Sequence, residues 1–254
     1  MSRRASVAVL VVLATLGVLG AMGYSRAEPF RTKFAANREC CAIPFLRNIA
    51  VTRGELRGER TYFGEIGQDK WVIETMFPDV TDGYFVDVGS GHGTIGSNSK
   101  RLEQLGWTGI CIDPFPVYME GRTCQVFKEV VFSEAGRPMV FRAAKGLAGL
   151  EETLGSWNTK AKVAPAVEFT TTTLDSILER GGAPPVINFM SLDIEGAEFE
   201  ALKGLSFDRY RVGAFVIEHN NEEPKRTNIR TFLESKGYEL SHTFKQDDFY
   251  RLKS

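Results

Sequence analysis

A glycine-rich turn follows one apolar strand of this chain, and an acid ends the next strand. The first predicted strand, residues 84–88, leads into the run Gly89-Ser90-Gly91-His92-Gly93. Glycines let the backbone turn sharply and approach a ligand closely, because no Cβ stands in the way. The second predicted strand, residues 109–113, ends in Asp113. This spacing is typical of a βαβ unit in which the acid accepts hydrogen bonds from a ribose diol.

Two later predicted strands, residues 186–193 and 212–218, end in polar side chains suited to acid–base chemistry. These side chains are Asp193, Glu195, Glu218, His219 and Asn220. Because neighbouring parallel strands end at one edge of a sheet, we expect them in one crevice. We predict catalytic roles for Asp193, Glu195 and His219, with Asp193 or His219 removing a proton from a hydroxyl nucleophile. Alternatively, Asp193, Glu218 and Asn220 hold a divalent cation such as Mg²⁺ through oxygen ligands and lower the pKa of that hydroxyl.

Strand and helix patterns alternate from about residue 62 onward, and they predict the fold class. Helical patterns cover about 94–105, 197–204 and 222–236, and Thr173 opens a further helix. Extended segments are predicted around 124–132, 138–143 and 167–171. Two final extended runs, 238–244 and 248–253, are typical of a terminal hairpin. The whole pattern predicts an α/β fold with a mostly parallel, helix-covered sheet.

The spacing of the glycines distinguishes between classes of nucleotide-binding site. A dinucleotide-binding Gly-x-Gly-x-x-Gly motif would need glycine at position 94, which is Thr94. The sequence contains no Gly-Lys-Ser/Thr phosphate-binding motif, which argues against an NTPase. Gly-x-Gly-x-Gly with an acid two residues earlier is instead the first motif of methyltransferases that use S-adenosylmethionine. We therefore predict that this donor binds at Asp87, Gly89, Ser90, Gly91 and Asp113.

Several segments resemble, in the same order along the chain, those of the FkbM-type methyltransferases. They are Gly67-Gln68-Asp69, residues 84–89, residues 105–114, Thr173-Leu174-Asp175, residues 191–198, residues 207–210 and Glu218-His219-Asn220. The resemblance covers roughly residues 62–252. It implies a class I, Rossmann-like fold with a mostly parallel seven-stranded sheet and a C-terminal antiparallel hairpin. It also implies S-adenosylmethionine as donor and transfer to oxygen.

From the motifs and the resemblance we expect O-methylation of a hydroxyl on a sugar, glycan, lipid-linked or small-molecule acceptor. The alternative is a catalytically inactive, membrane-tethered ligand-binding domain of the same fold. The intact glycine turn, together with Asp113 and Asp193, argues against that alternative. The glycine spacing also disfavours an oxidoreductase that uses a nicotinamide cofactor.

The composition of the chain limits the kinds of partner and of cysteine chemistry that we expect. The chain has 254 residues, of which 43% are hydrophobic and 25% charged, and its net charge is -1. This balance argues against general nucleic-acid binding, which leaves a basic footprint. The 4 cysteines show no CxxC spacing, so we predict reduced thiols rather than a metal framework, with Cys111 in the core.

The N-terminal segment predicts a membrane anchor. Residues 5–23 are almost wholly apolar, close to the ~20 residues that span a bilayer as a helix. We therefore divide the chain into an anchor or signal peptide (1–23), a juxtamembrane linker (24–61) and a methyltransferase domain (62–254). More basic residues follow the apolar run than precede it, which favours a cytosolic catalytic domain, where the donor is made. Small residues at 25 and 27 also permit signal-peptide cleavage, after which the domain would be exported.

Overall fold

A computed structural model describes residues 61–144, 147–153 and 164–253. The predicted anchor and most of the predicted linker lie outside these ranges, so both stay predictions. Within the described ranges, no helix combines the length and the apolar character needed to cross a bilayer.

A seven-stranded sheet forms the centre of the domain. Its strands are β1 (Tyr84–Val88), β2 (Thr108–Ile112), β3 (Gln125–Phe127), β8 (Val186–Leu192), β9 (Arg211–Glu218), β10 (Tyr238–Phe244) and β11 (Asp247–Leu252). They lie in the order β10-β11-β9-β8-β1-β2-β3. Strands β3, β2, β1, β8 and β9 pair in parallel. Strand β11 pairs antiparallel with both β9 and β10. The predicted α/β fold with a mostly parallel sheet and a final antiparallel hairpin is confirmed.

Helices join and cover these strands. They are α1 (Gln68–Trp71), continued by a π-helical turn (Val72–Met76), then α2 (Lys100–Gln104), α3 (Leu174–Arg180), α4 (Glu198–Lys203) and α5 (Lys225–Ser235). Thr173 caps α3 as predicted, because its side chain accepts a hydrogen bond from the backbone N–H of Ser176 at 3.2 Å.

Both faces of the central sheet are buried, since side chains alternate along each strand. In β1, Val86 and Val88 point to a core that includes Leu178 and Leu233 of the helices. Phe85 of the same strand belongs to a second core on the opposite face, which includes Trp107. This two-sided burial holds the strand ends, where the polar side chains lie, in fixed positions.

A second sheet, which the sequence did not predict, lies between β3 and α3 in the chain. Its order is β4-β7-β5-β6, and its strands are β4 (Val130–Val131), β5 (Pro138–Ala144), β6 (Leu147–Leu150) and β7 (Ala166–Thr172). The extended segments of β4, β5 and β7 were predicted and that of β6 was not, and the pairing of all four depends on contacts distant in sequence. Phe141 and Phe169 of this sheet pack against Phe115, with ring centroids 5.6 and 5.4 Å from it.

The helix predicted at about 94–105 begins later than expected. Only residues 100–104 are α-helical, as helix α2. Gly96 has φ +68° and forms an isolated β-bridge with Gly64. A residue in this left-handed conformation cannot continue a helix, so the segment before α2 is irregular.

The prediction of reduced thiols is wrong for two of the cysteines. Cys111 of β2 and Cys124, next to β3, form a disulfide with a Cα–Cα distance of 5.9 Å. The two strands are parallel neighbours, with Ile110 opposite Gln125. Pairing of the strands therefore brings together two cysteines whose sequence spacing carried no signal.

Candidate active site

The predicted functional residues lie at one edge of the central sheet. Strands β1, β2, β8 and β9 are parallel and end at the same edge. The residues that follow these ends include Gly89, Asp113 and Asp193, and Glu218 is the last residue of β9. An open α/β sheet places its ligand-binding crevice at this edge.

The glycine turn is held on both sides by neighbouring strand ends. The backbone N–H groups of Gly89 and Ser90 donate to the carbonyl oxygen of Ile112 at 2.8 and 3.1 Å. The N–H of Asp193 donates to the carbonyl of Val88 at 2.9 Å. Gly89 has φ +88°, and a Cβ on it would lie 1.7 Å from the carbonyl oxygen of Asp193. Only glycine fits here, so this residue allows the turn to touch the end of β8.

Asp113 connects the end of β2 to the glycine turn. Its Oδ2 accepts a hydrogen bond from the N–H of Gly91 at 3.0 Å, and its Oδ1 accepts one from the N–H of Phe115 at 2.6 Å. Burial raises the pKa of Asp113 to about 6, although both hydrogen bonds act in the opposite direction. The carboxylate is therefore oriented, with its ionised form dominant above about pH 6.

Asp87 is buried under the turn, where it contacts protein groups. The hydroxyl of Ser99, just before α2, donates to Asp87 Oδ2. Burial raises the pKa of Asp87, while Ser99 and the charge of Arg122 lower it. This geometry favours a role for Asp87 in fixing the turn over the predicted contact with the donor.

Three carboxylates gather at the ends of β8 and β9, and we call them the acidic group. They are Asp193, Glu195 and Glu218, and one oxygen atom of each lies within 4.8 Å of the others. Asp193 and Glu218 are close enough that a hydrogen bond between the two carboxyl groups would form when one of them is protonated. Burial raises the pKa of Asp193 well above its usual range, with the charge of Glu218 adding to the shift. Burial and the charge of Asp193 raise the pKa of Glu195 to about 8.

Glu198 holds the loop that carries the acidic group. Its Oε1 accepts hydrogen bonds from the backbone N–H groups of Ile194 and Gly196, both at 3.0 Å. Its Oε2 lies 3.1 Å from Nζ of Lys225, the first residue of α5. The side chain is fully buried. Glu198 thus has a structural role, with Lys225 as its cationic partner.

Asn220 orients the acidic group and does not present an oxygen ligand to it in this arrangement. Its Nδ2 donates to Glu218 Oε2 at 2.8 Å, and its side chain also hydrogen-bonds Glu195. Both Glu195 and Asn220 have positive φ, 56° and 51°. Strained backbone at two neighbouring strand ends is characteristic of functional sites. The oxygen set that the structure groups is therefore Asp193, Glu218 and Glu195, in place of the predicted Asn220.

Comparison with known proteins identifies the family. The sequence model of the methyltransferase FkbM domain matches residues 87–240, more than half of the 254 residues. The chain belongs to the FkbM methyltransferase family. No curated protein matches it significantly. Among solved structures, the crystal structure of a candidate RNA methyltransferase from Pyrococcus horikoshii aligns with 12% identity and a TM-score of 0.38, covering 74% of this chain and 84% of that one.

Within the FkbM domain, His219 contacts residues outside the acidic group. Its ring is buried, its Nδ1 accepts a hydrogen bond from the N–H of Asn221 at 2.9 Å, and its Nε2 lies 3.4 Å from Asp248 Oδ1. Arg226 and Arg230 also contact Asp248, at 3.0 and 3.2 Å. With Nδ1 engaged as an acceptor, the geometry favours Asp193 over His219 as the base.

Two residues that neighbour the acidic group, Asp247 and Gln68, were not predicted as site residues from the sequence. Asp247 pairs in register with Glu218 across β11 and β9, and its charge contributes to the raised pKa of Asp193. Gln68 of α1 donates from Nε2 to Asp247 Oδ2 at 2.9 Å. Gln68 belongs to a segment that the family resemblance had included, which was its only signal. Asp247 lies in a predicted turn, and no sequence signal marked it as a site residue.

A cavity of about 470 Å³ opens between α4 and the start of α5, and its lining does not include the three carboxylates of the acidic group. Its lining includes Gly196, Phe199, Glu222, Pro224, Lys225 and Asn228. It combines an aromatic ring with carboxylate, ammonium and amide groups.

Proposed function

We propose that this protein transfers the methyl group of S-adenosylmethionine to a hydroxyl oxygen of a sugar, glycan, lipid-linked or small-molecule acceptor. The observation that carries the proposal is the contact between Gly89 and the backbone of Asp193. It joins the turn that would hold the donor to the strand end that carries the acidic group, in a chain of a methyltransferase family.

The residues of the glycine turn fit the donor. A Cβ on Gly91 would meet nothing nearer than 3.8 Å, so the space above it is open. The hydroxyl of Ser90 is buried and has no hydrogen-bond partner in the described part of the chain. Asp113 would accept hydrogen bonds from the ribose diol, Gly89 and Gly91 would allow close approach, and Asp87 would keep the turn in place. Bound S-adenosylmethionine supplies an electrophilic methyl carbon on a sulfonium, which needs no phosphate-binding cations.

The acidic group would remove the acceptor's proton. A carboxyl group whose pKa lies near the working pH is an effective general base, and burial moves the pKa values of Asp193, Glu195 and Glu218 in that direction. Asp193 would take the proton of the acceptor hydroxyl, and the donor, when bound, would supply the methyl group, so that the products would be a methyl ether and S-adenosylhomocysteine. Glu218, the neighbour of Asp193, would pass the proton on towards solvent.

The same three oxygens also form a set suited to a hard divalent cation. Such an ion would be held by Asp193, Glu195 and Glu218, and would lower the pKa of the acceptor hydroxyl. Treatment with EDTA followed by readdition of Mg²⁺ or Mn²⁺ distinguishes the two mechanisms. Activity that survives thorough chelation leaves proton removal by Asp193, whereas loss and metal-specific recovery support the cation.

The proposal is tested with the intact protein and donor labelled in the methyl group. Label should enter hydroxyl-bearing material from cell fractions. The labelled product should be non-basic and stable to alkali, as a methyl ether is, whereas alkali would release the label from a methyl ester. Asp113→Asn and Asp193→Asn should both reduce transfer, and Asp208→Asn, an exposed aspartate, serves as the control. Donor binding without any transfer would instead support the inactive binding domain.

We keep attachment to the membrane with a cytosolic catalytic domain as a proposal about location. Protease treatment of intact spheroplasts, combined with mass spectrometry of the N-terminus, tests it. Protection of the domain and an intact N-terminus are expected. A mature chain that begins near Glu28, or digestion of the domain from outside the cell, would indicate export. The compartment outside the cytosol is one in which a disulfide also persists.

A further inference from the structure

A buried guanidinium connects the glycine turn to the segment between β2 and β3. The side chain of Arg122 is only 1% exposed. Its Nη1 donates to the carbonyl oxygen of Gly93 at 3.1 Å, and its Nη2 donates to the hydroxyl of Ser99 at 2.7 Å. Ser99 in turn donates to Asp87. One side chain therefore contacts the turn directly and, through one hydroxyl, the acid beneath it.

Glu103 of α2 fixes the position of Arg122. Its Oε2 lies 2.6 Å from Nε of Arg122, and its Oε1 accepts hydrogen bonds from the N–H groups of Thr123 and Cys124 at 3.1 and 2.8 Å. The Glu103 side chain is 3% exposed, so both charges are buried and each depends on the other. The ion pair holds residues 122–124 against α2.

The disulfide closes the loop that contains both the predicted ribose ligand and the contacts to the turn. Cys111 and Cys124 are 13 residues apart, and Asp113 lies between them. Val117 in this loop donates to Gly91 O at 2.8 Å and accepts from Gly93 N at 2.9 Å. Both cysteines are buried, and Arg122 Nη2 lies 3.4 Å from the sulfur of Cys111.

We propose that the Cys111–Cys124 disulfide and Arg122 together form a positioning clamp for the donor site, so that donor affinity depends on an intact disulfide. The inference rests on the proposed function, since it takes S-adenosylmethionine as the ligand of Gly91 and Asp113. Opening the disulfide gives the loop of residues 111–124 more conformational freedom. Binding must then order Asp113 and the turn, which weakens affinity. The methyl-transfer step with donor already bound is not affected.

The test compares donor binding by the full chain in oxidised and reduced forms. Tris(2-carboxyethyl)phosphine opens the bond, since the phosphine and one water give a phosphine oxide and two thiols. The variants are Cys111→Ala/Cys124→Ala and Arg122→Lys, with Arg251→Lys as a control in an exposed ion pair. Calorimetry with S-adenosylmethionine should give a Kd about tenfold higher for the reduced protein and for both clamp variants, and an unchanged Kd for Arg251→Lys.

A kinetic readout separates positioning from general destabilisation. The KM for the donor should rise about as much as Kd, while kcat at saturating donor stays within about twofold of wild type. Donor affinity that is the same with the disulfide open and closed, or unchanged in Arg122→Lys, would overturn the clamp. If the double cysteine variant does not fold, the reduced wild-type chain tests the disulfide, and Arg122→Lys, which retains the disulfide, tests Arg122.

Asp113→Asn distinguishes failure of the clamp from failure of the donor site. If Asp113→Asn weakens donor binding and the clamp variants do not, the clamp inference alone fails. If Asp113→Asn also binds the donor normally, the donor site itself is misassigned, and the proposed function loses its basis along with the clamp.

Discussion

The backbone of Gly89 lies against the carbonyl oxygen of Asp193, so closely that a Cβ on Gly89 would be 1.7 Å from that oxygen. The turn after β1 and the acidic end of β8 are thereby in direct contact. Because Gly89 has no side chain, a ligand over the glycine turn and a proton acceptor at Asp193 would share one crevice.

Gly89→Ala should abolish this contact and destabilise the fold. Gly136→Ala is the matched control, because Gly136 also has positive φ, +83° against +88°, but has nothing within 4 Å of its Cβ position. The control should lose about 1–2 kcal/mol of unfolding free energy through backbone strain alone. Gly89→Ala adds a clash with backbone and should lose more than roughly 4 kcal/mol. Equal losses for the two variants in urea titrations would contradict the close contact.

Asp113→Asn should weaken donor binding while the fold persists. The substitution keeps the shape and removes the charge that strengthens hydrogen bonds from the ribose. Hydrogen bonds to charged groups contribute about 1.5–3 kcal/mol, which corresponds to a roughly 10–150-fold higher Kd. Calorimetry with S-adenosylmethionine measures the change, and Asp208→Asn should bind as the wild type does. An unchanged Kd for Asp113→Asn would remove this residue from the site.

Donor affinity should also depend on pH through Asp113. Burial raises the pKa of this carboxyl to about 6, and its ionised form is the better acceptor for the ribose hydroxyls. Affinity should therefore be constant above this pKa and decrease as the pH falls through it. The Asp113→Asn variant should lack this dependence, and a wild-type Kd that stays constant down to pH 5 would count against the role of Asp113.

The acidic group should make the folded protein less stable as the pH rises. The pKa of Glu195 is about 8 in the folded state and about 4.3 when unfolded. Between these values the folded state binds more protons, so the free energy of unfolding falls with increasing pH. Glu195→Gln should reduce that slope, whereas Glu234→Gln, on the exposed surface of α5, should not. Identical slopes for wild type and Glu195→Gln would show that Glu195 is not perturbed.

Local patterns predicted the strands and the glycine turn, because alternating apolar residues and glycine spacing are properties of neighbouring residues. The order of the central sheet agrees with the predicted class, and Gly89, Asp113, Asp193 and Glu218 meet at one edge because parallel strands must end together. The interaction partners of these residues could not be predicted from local sequence patterns. Lys225 reaches Glu198, and Asp247 reaches Glu218, across contacts between distant elements.

The disulfide and the second sheet were missed for the same physical reason. Cys111 and Cys124 lie side by side only because β2 and β3 pair, and no periodicity within either segment encodes that pairing. The acidic group contains Glu195 in the place predicted for Asn220, and this difference has another cause. Both residues have positive φ, a conformation that residues other than glycine adopt uncommonly, and periodic sequence patterns do not predict it.

The most direct test of the account is methyl transfer by Asp193→Asn with donor binding measured in parallel. Asparagine keeps the volume of the side chain but cannot take a proton from the acceptor. Removing a general base lowers the rate by about 10²–10⁴-fold, so kcat should fall by that factor while the Kd for S-adenosylmethionine stays within about threefold of wild type. Near-normal turnover by Asp193→Asn would contradict the central claim that the acidic group at the end of β8 performs the chemistry beside the donor turn.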